Sequence, residues 1–292
     1  MHAILGAGGV GGFVGAVLAG AGERVVLLLR AESLAAHPAT LTLESPLGRI
    51  VAPVEKAAAL EQEVAVLWVT TKATQLEAAL AALPDPALAR TVVPLLNGVD
   101  HVARLRARLG AERVVPGSIA GELERAAPGQ IVHRSAFARF GFAATGEARL
   151  AGVAEILTRF GCPCRFEADE VTLLWRKLVM LAPMALSTTA AGRAVGELWA
   201  DPEWSTRLES AAREACAVAL ALGARVDAEE TVRTLRGFPG ALRSSMQKDV
   251  AAGRPPELDA IAGPILRGGA ASGIPVPVTA ELAAIVARRS AP

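Results

Sequence analysis

The 292-residue chain has no tyrosine, a single asparagine (Asn97) and only three cysteines, Cys162, Cys164 and Cys216. An odd cysteine count gives no even disulfide framework. Cys162 and Cys164 could form a redox pair, but Cys-x-Cys alone is a poor metal or disulfide signature, so structural roles in a reducing compartment are expected. Charge imbalance is absent too. The net charge is +1 with no long basic block, which removes the electrostatic footprint of a nucleic-acid binder. Lysine is scarce: of 30 basic residues only Lys56, Lys72, Lys177 and Lys248 are lysines. Where arginine is the default cation, a lysine points to chemistry that arginine does poorly, such as proton donation. Lys56 and Lys248 read as ordinary survivors. No continuous apolar run is long enough to span a membrane. Residues 3–22 are uncharged and approach that length, but Gly6, Gly8, Gly9, Gly11, Gly12, Gly15, Gly20 and Gly22 interrupt them, and no basic segment precedes them. A turn between a strand and a helix fits that glycine pattern better.

What is present is an α/β pattern followed by an all-α one. Residues 2–5 are a short apolar strand, and after the glycine turn Val14, Val17, Leu18 and Ala21 recur at helical spacing. Residues 24–29 form a buried strand, giving β-α-β within about 30 residues. Residues 40–43 and 49–51 form a strand pair around Ser45-Pro46-Leu47-Gly48. Further strands are expected at 64–70, 92–96 and 114–119, with helices at 75–82 and 101–109. Residues 131–133 and 139–142 suggest an antiparallel closing edge entered through Pro128-Gly129. After Cys164 the strand signal stops. Helices are expected from Asp169 through Leu181, at 202–222, 228–235 and 258–270, and finally at 278–288. The domains are therefore 1–165 and 166–292.

Gly6-Ala7-Gly8-Gly9-Val10-Gly11 matches Gly-x-Gly-x-x-Gly. In a glycine-rich chain that match is weak, but its setting between a first strand and a first helix makes it specific. The first glycine permits the tight turn, the second lets the backbone approach a pyrophosphate, and the third allows close helix–strand packing. The helix N-terminus adds free N–H groups and its dipole. A Rossmann-type doubly wound, dinucleotide-binding half follows. At the end of the second strand stands Arg30, where NAD-binding chains place an acid for the ribose hydroxyls. A guanidinium suits a 2′-phosphate, so NADP (as NADPH) is the expected cofactor, with nearby Glu32 complicating the choice. Thr71 and Lys72 follow the strand ending in Thr70, at a carboxyl end of the sheet, where ligands bind.

Lys177 sits in Leu174-Trp175-Arg176-Lys177-Leu178, and Glu257 in Gly253-Arg254-Pro255-Pro256-Glu257-Leu258-Asp259, a proline-led helix start where an acid is favoured anyway. Taken singly, neither stands out. Together with residues 6–11, Thr71-Lys72-Ala73, Asn97-Gly98, Pro128-Gly129-Gln130-Ile131-Val132-His133, Ser244-Ser245-Met246-Gln247-Lys248-Asp249, residues 253–263 and Gly273-Ile274-Pro275-Val276-Pro277, they resemble the ketopantoate reductase (2-dehydropantoate 2-reductase) family from end to end. The Ser-Ser-Met-x-x-Asp piece followed by Gly-Arg-x-x-Glu-x-Asp is the most specific part.

That resemblance implies a Rossmann domain, a helical domain of the 6-phosphogluconate dehydrogenase C-terminal type, and an active site between them. It implies NADPH-dependent reduction of ketopantoate to pantoate in pantothenate biosynthesis, in the cytoplasm, with no metal. Lys177 becomes the general acid that protonates the ketone oxygen, with Glu257 orienting Lys177 and the substrate hydroxyl. Asn97 and Ser245 would hydrogen-bond nicotinamide and substrate, and Asn97 and Glu257 also fall in the cofactor set with Gly6, Ala7, Gly8, Gly9, Val10, Gly11, Arg30, Thr71 and Lys72. The chain departs from the family at Leu181 and Ala185. Members usually carry Asn four and eight residues after the lysine, one helical face towards the substrate. Two other readings stay open: a reductase of another 2-keto acid, ketone or imine, and a non-catalytic NADP-binding sensor. A small keto compound is the implied partner, without nucleic acid or membrane. A homodimer through the helical half is the candidate assembly.

Overall fold

A computed structural model describes residues 1–290, which divide into two compact units. The first comprises Met1–Leu96 and His101–Leu173, the second Asn97–Asp100 and Leu174 onward. Its elements begin with β1 (His2–Leu5), α1 (Gly9–Gly20), β2 (Val25–Leu28), the short α2 (Ala31–Leu34), β3 (Thr40–Ser45), β4 (Gly48–Pro53), β5 (Glu55–Ala57) and β6 (Val64–Val69). They continue with α3 (Leu76–Ala79), β7 (Ala89–Pro94), α4 (His101–Leu109), β8 (Gly117–Ala120), β9 (Leu123–Ala127), β10 (Gln130–His133), β11 (Arg139–Ala143), α5 (Glu147–Arg159) and β12 (Cys164–Glu167).

Five strands make an all-parallel sheet in the order β5-β2-β1-β6-β7. Its inner strands are apolar on both faces: every residue of β1 and β2 is buried. Such continuous runs mark a sheet covered on both sides. One cover is α1, whose glycines would disfavour a helix in water. It persists because it is packed on both sides, against the parallel sheet and against the four-stranded sheet β4-β3-β10-β9. The glycines accept the second sheet's side chains: a Cβ at Gly12 would come within 2.2 Å of Ile131 Cδ1, and one at Gly20 within 2.9 Å of Ile50 Cγ2. A third sheet, β12-β11-β8, carries Phe140 and Phe142, which join Phe13 and Trp68 in the aromatic part of the core.

The helical unit takes up most of α6 (Glu170–Ala191), then α7 (Val195–Trp199), α8 (Pro202–Ala221), α9 (Ala228–Arg236), α10 (Ser245–Ala251), α11 (Leu258–Ser272) and α12 (Pro277–Arg289). Local chemistry fixes their starts. Asp201 caps α8 through the amides of Glu203 and Trp204, with Pro202 at the first helical position. Asp227 caps α9 and Ser244 caps α10. The start of α12 has no local cap; Glu214, from α8, accepts the amides of Val278 and Thr279. The core between these helices is mostly alanine and leucine, with Ala182, Ala185, Leu186 and Ala215 fully buried. By length and composition α6 alone among the described residues could cross a membrane, yet 72% of its apolar window is buried inside the protein.

Several expectations need correction. Residues 131–133 and 139–142 do not pair: β10 lies between β3 and β9, whereas β11 lies between β8 and β12. The strand signal does not stop at Cys164, because β12 runs from there to Glu167, parallel to β11. Residues 75–82 are not one helix but single turns, with 3₁₀ geometry on either side of α3. Of the expected strand at 114–119 only residues 117–119 join a sheet, within β8, and Val114 makes an isolated bridge to Val92. The helix expected from Asp169 through Leu181 is longer, since α6 runs on through Pro183 to Ala191.

Candidate functional site

The turn after β1 shows why glycine is required there. Gly6 has φ +106°, and a Cβ on it would lie 2.6 Å from the Thr71 amide nitrogen. A Cβ on Gly11 would meet the Gly6 carbonyl oxygen at 2.3 Å and Thr70 Oγ1 at 2.4 Å. Gly9 is blocked in the same way by the Leu123 carbonyl oxygen, at 2.4 Å. Gly8 differs from all three, because a Cβ there would meet nothing within 4 Å. The open space lies over the start of α1, whose cap position is Gly8 itself and whose first amides receive no side-chain cap. Uncapped amides, a helix dipole and a backbone with no side chain in front of it form an anion cradle. Ala7 is buried behind this turn and Val10 half-buried beside it.

Thr70 is a residue that sequence reasoning missed. Its Oγ1 donates to Gly6 O at 2.8 Å, locking the turn onto the end of β6. Nothing in its type or spacing separates it from the adjacent Thr71. Thr71 Oγ1 is buried without a hydrogen-bond partner. A buried orphan hydroxyl beside a phosphate cradle is what a ligand oxygen would satisfy. Lys72 follows, half-buried and extended. Arg30 is exposed, with extended backbone at the start of α2, and makes no ion pair among the described residues. These residues fit a dinucleotide with a free guanidinium left for a further phosphate.

In the helical unit three of the expected residues converge. Asn97 Nδ2 donates to Glu257 Oε2 at 3.0 Å across 160 positions of chain. Lys177 is half-buried on α6, and its pKa is lowered to about 8 by burial, which the Glu257 charge partly opposes. Glu257 stands at the cap position of α11 but does not use its side chain as a cap, so the carboxylate is directed elsewhere. An amide, a carboxylate and an ammonium poised near neutral pH can hold a carbonyl compound and give it a proton.

The other expected residues lie differently. Ser245 is exposed in the first turn of α10 and makes no hydrogen bond to this set, while Ser244 is buried, capping α10 and lying 2.8 Å from Thr188 Oγ1. Leu181 is half-buried against the helical core. Ala185 is fully buried within that core, and its carbonyl accepts from Thr189 Oγ1. Cys162 and Cys164 have thiol pKa values raised by burial, Cys162 to about 12, so neither is a ready thiolate. His133 of the Pro-Gly-Gln-Ile-Val-His segment is buried between Ser45 Oγ and Phe137 O, at 2.8 and 3.0 Å, which is a structural position. Cavities of about 410 and 540 Å³ open beside His2 and Arg149 and beside Arg254 and Arg289; neither is lined by Lys177, Glu257 or the glycine turn.

A parallel sheet with a glycine anion cradle and a helical unit with a Lys–Glu–Asn set together define an oxidoreductase of the dinucleotide-dependent kind. Comparison with known proteins agrees. The family described as ketopantoate reductase PanE/ApbA matches residues 2–145, and its C-terminal counterpart matches residues 171–290. A 2-dehydropantoate 2-reductase of Caulobacter vibrioides is 34% identical over 298 residues, covering 97% of each chain. One from Mycobacterium tuberculosis is 30% identical, covering 77% of this chain and 76% of its own. Among solved structures, a PanE/ApbA family ketopantoate reductase from Ralstonia eutropha superposes with a TM-score of 0.88 at 29% identity, covering 99% of this chain and 98% of that one. D-mandelate dehydrogenase in complex with NADH and anilino(oxo)acetate shares the fold, with a TM-score of 0.87 at 23% identity and coverage of 99% and 98%. The chain belongs to the ketopantoate reductase family, oxidoreductases acting on a CH–OH group.

Proposed function

We propose that this protein reduces 2-dehydropantoate to pantoate with NADPH, as a cytoplasmic step of pantothenate biosynthesis. The observation that carries the proposal is the meeting of Asn97, Glu257 and a lowered-pKa Lys177 in one unit. The family uses a nicotinamide cofactor, and NADPH is favoured by the guanidinium of Arg30, which has no ion pair among the described residues and stands where an acid would repel a 2′-phosphate. Residues 6–11 and Thr71 would hold the pyrophosphate and neighbouring oxygens, with Lys72 and Arg30 as cations. NADPH, when bound, supplies the hydride. Lys177 gives its proton to the ketone oxygen and its charge stabilises the forming alkoxide, an interaction strongest in the transition state. Glu257 keeps Lys177 charged and orients it, and Asn97 holds Glu257.

A second reading, reduction of a bulkier or less polar 2-keto acid, ketone or imine, is favoured by Leu181, where the family usually has an amide. The sensor reading has less support, because binding alone requires neither a proton donor nor its carboxylate. The test compares kcat/KM for ketopantoate with larger 2-keto acids and ketones, using NADPH and NADH. Ketopantoate should be the best substrate, and NADPH should bind more than tenfold tighter than NADH, about 1.4 kcal/mol or more. Arg30→Ala should erase that preference. A bulkier substrate that is turned over while ketopantoate is inert rejects the first reading; equal affinities for the two cofactors reject the NADPH assignment. The proposed homodimer is checked by sedimentation of the purified protein.

A further inference from the structure

Arg267 belongs to no motif of the chain, yet its guanidinium is shared between two carboxylates. Nη1 donates to Asp259 Oδ1 at 2.6 Å, and Nη2 to Asp100 Oδ2 at 2.5 Å. Asp259, Gly263 and Arg267 are spaced four apart along α11 and so share one face. A Cβ at Gly263 would stand 2.4 and 2.6 Å from the two guanidinium nitrogens and 2.6 Å from Asp259 Oδ1. The missing side chain at 263 is therefore what lets the guanidinium lie flat across the helix to reach its first turn.

Asp100 ends the tetrapeptide Asn97–Asp100, which packs with the helical unit rather than with the sheet it leaves. This loop is fastened to the start of α11 at three points. Asn97 donates to Glu257. Gly98, at φ +83°, lies so close that a Cβ would be 2.2 Å from the Ala260 carbonyl oxygen. Asp100 is joined through Arg267 to Asp259. The third point is half-exposed, with 53% of the Arg267 side chain accessible, so as a stability device it is weak. Its effect is geometric. Without the shared cation, two aspartates would face each other with like charge, which pushes the loop off the helix and takes Asn97 from Glu257.

We propose that Arg267 is a positioning residue, an ionic clamp that holds the Asn97–Asp100 loop on the first turn of α11 and thereby fixes the Glu257 carboxylate that serves Lys177. The inference rests on the role given to Glu257 and Lys177 above and goes beyond it to a residue outside the reacting set. The burial of Lys177 makes its protonation depend on where Glu257 stands. A lysine at 267 would keep the charge but lose the fork that spans both carboxylates.

The experiment uses the full chain with Arg267→Met, Arg267→Lys and Arg267→Met/Asp100→Asn, and repeats Arg267→Met in a Glu257→Ala background. Hydrogen–deuterium exchange without ligand is read alongside steady-state kinetics with NADPH and ketopantoate. Arg267→Met should speed exchange in peptides covering 97–100 and 257–263. It should lower kcat about tenfold with little change in NADPH affinity and move the alkaline limb of the pH profile to lower pH. Arg267→Lys, and the added Asp100→Asn, should each restore part of the loss. In the Glu257→Ala background Arg267→Met should change kcat less than twofold. An equal loss in both backgrounds, or unaltered exchange at both segments, overturns the clamp. Wild-type turnover of Arg267→Met beside a crippled Glu257→Ala overturns the clamp alone. Wild-type turnover of Glu257→Ala overturns the reading of the site and the clamp with it.

Discussion

An ammonium surrounded by protein loses hydration, and that loss holds Lys177 near pKa 8, with the Glu257 charge pulling the other way. At neutral pH the group remains mostly protonated and can release its proton readily, as a general acid must. Lys177→Ala should lower kcat at least ~10²-fold while NADPH still binds, measured by steady-state kinetics beside a fluorescence titration; near-wild-type turnover would reject the assignment. In the wild type, kcat should fall as pH rises through about 8. Because the Glu257 carboxylate raises the lysine pKa, Glu257→Gln should shift that fall to lower pH, and a shift to higher pH would contradict the coupling. Residue scarcity singled out two of the residues that the structure groups with Glu257: Lys177 is one of four lysines and Asn97 the single asparagine. The bond between Asn97 and Glu257 was not, since no spacing rule connects positions 160 apart. Nor could the sequence tell which of Ser244 and Ser245 would be the cap, a matter of where α10 begins. Ala185, placed at the substrate wall through the family resemblance, is fully buried in the helical core. A helix face read by four-residue steps does not reveal which side its neighbours cover.

At the scale of elements, the glycine turn separates two requirements that a motif match cannot. Gly11 is needed for folding, because a Cβ would press into the Gly6 carbonyl oxygen, backbone that cannot swing aside. Gly8 faces open space and has a φ of −85° that alanine accepts. Gly11→Ala should therefore destabilise the protein by about 1–3 kcal/mol in urea unfolding. Gly8→Ala should leave the unfolding midpoint unchanged and weaken NADPH binding at least tenfold by titration, because its methyl would enter the phosphate cradle. If Gly8→Ala binds NADPH as the wild type does, the cradle is misplaced. The long elements were readable because buried parallel strands and proline- or aspartate-led helices carry local signals. Short elements without a continuous buried run escaped: β12 has four residues, none fully buried, and α10 seven. The pairing of β10 and β11 was misjudged because proximity in sequence suggested a hairpin, whereas β10 pairs with β9 and β3, and β11 with β8 and β12. The start of α12 was visible from Pro277, but its true cap, Glu214, belongs to another helix.

For the whole molecule, buried groups shape stability against pH, and three carry the largest shifts: His2 in acid, and Cys162 and Lys177 in overlapping alkaline windows. The pKa of His2 is lowered to about 4 by burial, with the nearby N-terminal charge adding to the effect. Between pH 4 and 6.5 the unfolded chain therefore binds the extra proton, and stability rises with pH. Cys162 is raised to about 12 by burial, so between about 9 and 12 the unfolded chain loses its proton first and stability falls. Lys177 acts against that fall. Its native pKa near 8 is below the ordinary 10.5, so between these values the unfolded chain holds a proton the native state has released. Below pH 8 both states are protonated and the native state bears the full cost of the buried ammonium, on the order of 3 kcal/mol. That cost is relieved as pH climbs towards 10.5. Lys177→Met removes the titration and keeps a side chain of similar length, so the difference between variant and wild type cancels His2 and Cys162. The variant should be more stable than the wild type at pH 7, and its advantage should shrink steadily from pH 8 to 10.5. Urea unfolding of both proteins at half-unit pH steps checks this. An advantage constant across that range would show that the ammonium is as well solvated in the folded protein as in the unfolded chain. The lowered pKa that supports the proposed role of Lys177 as proton donor would then be lost.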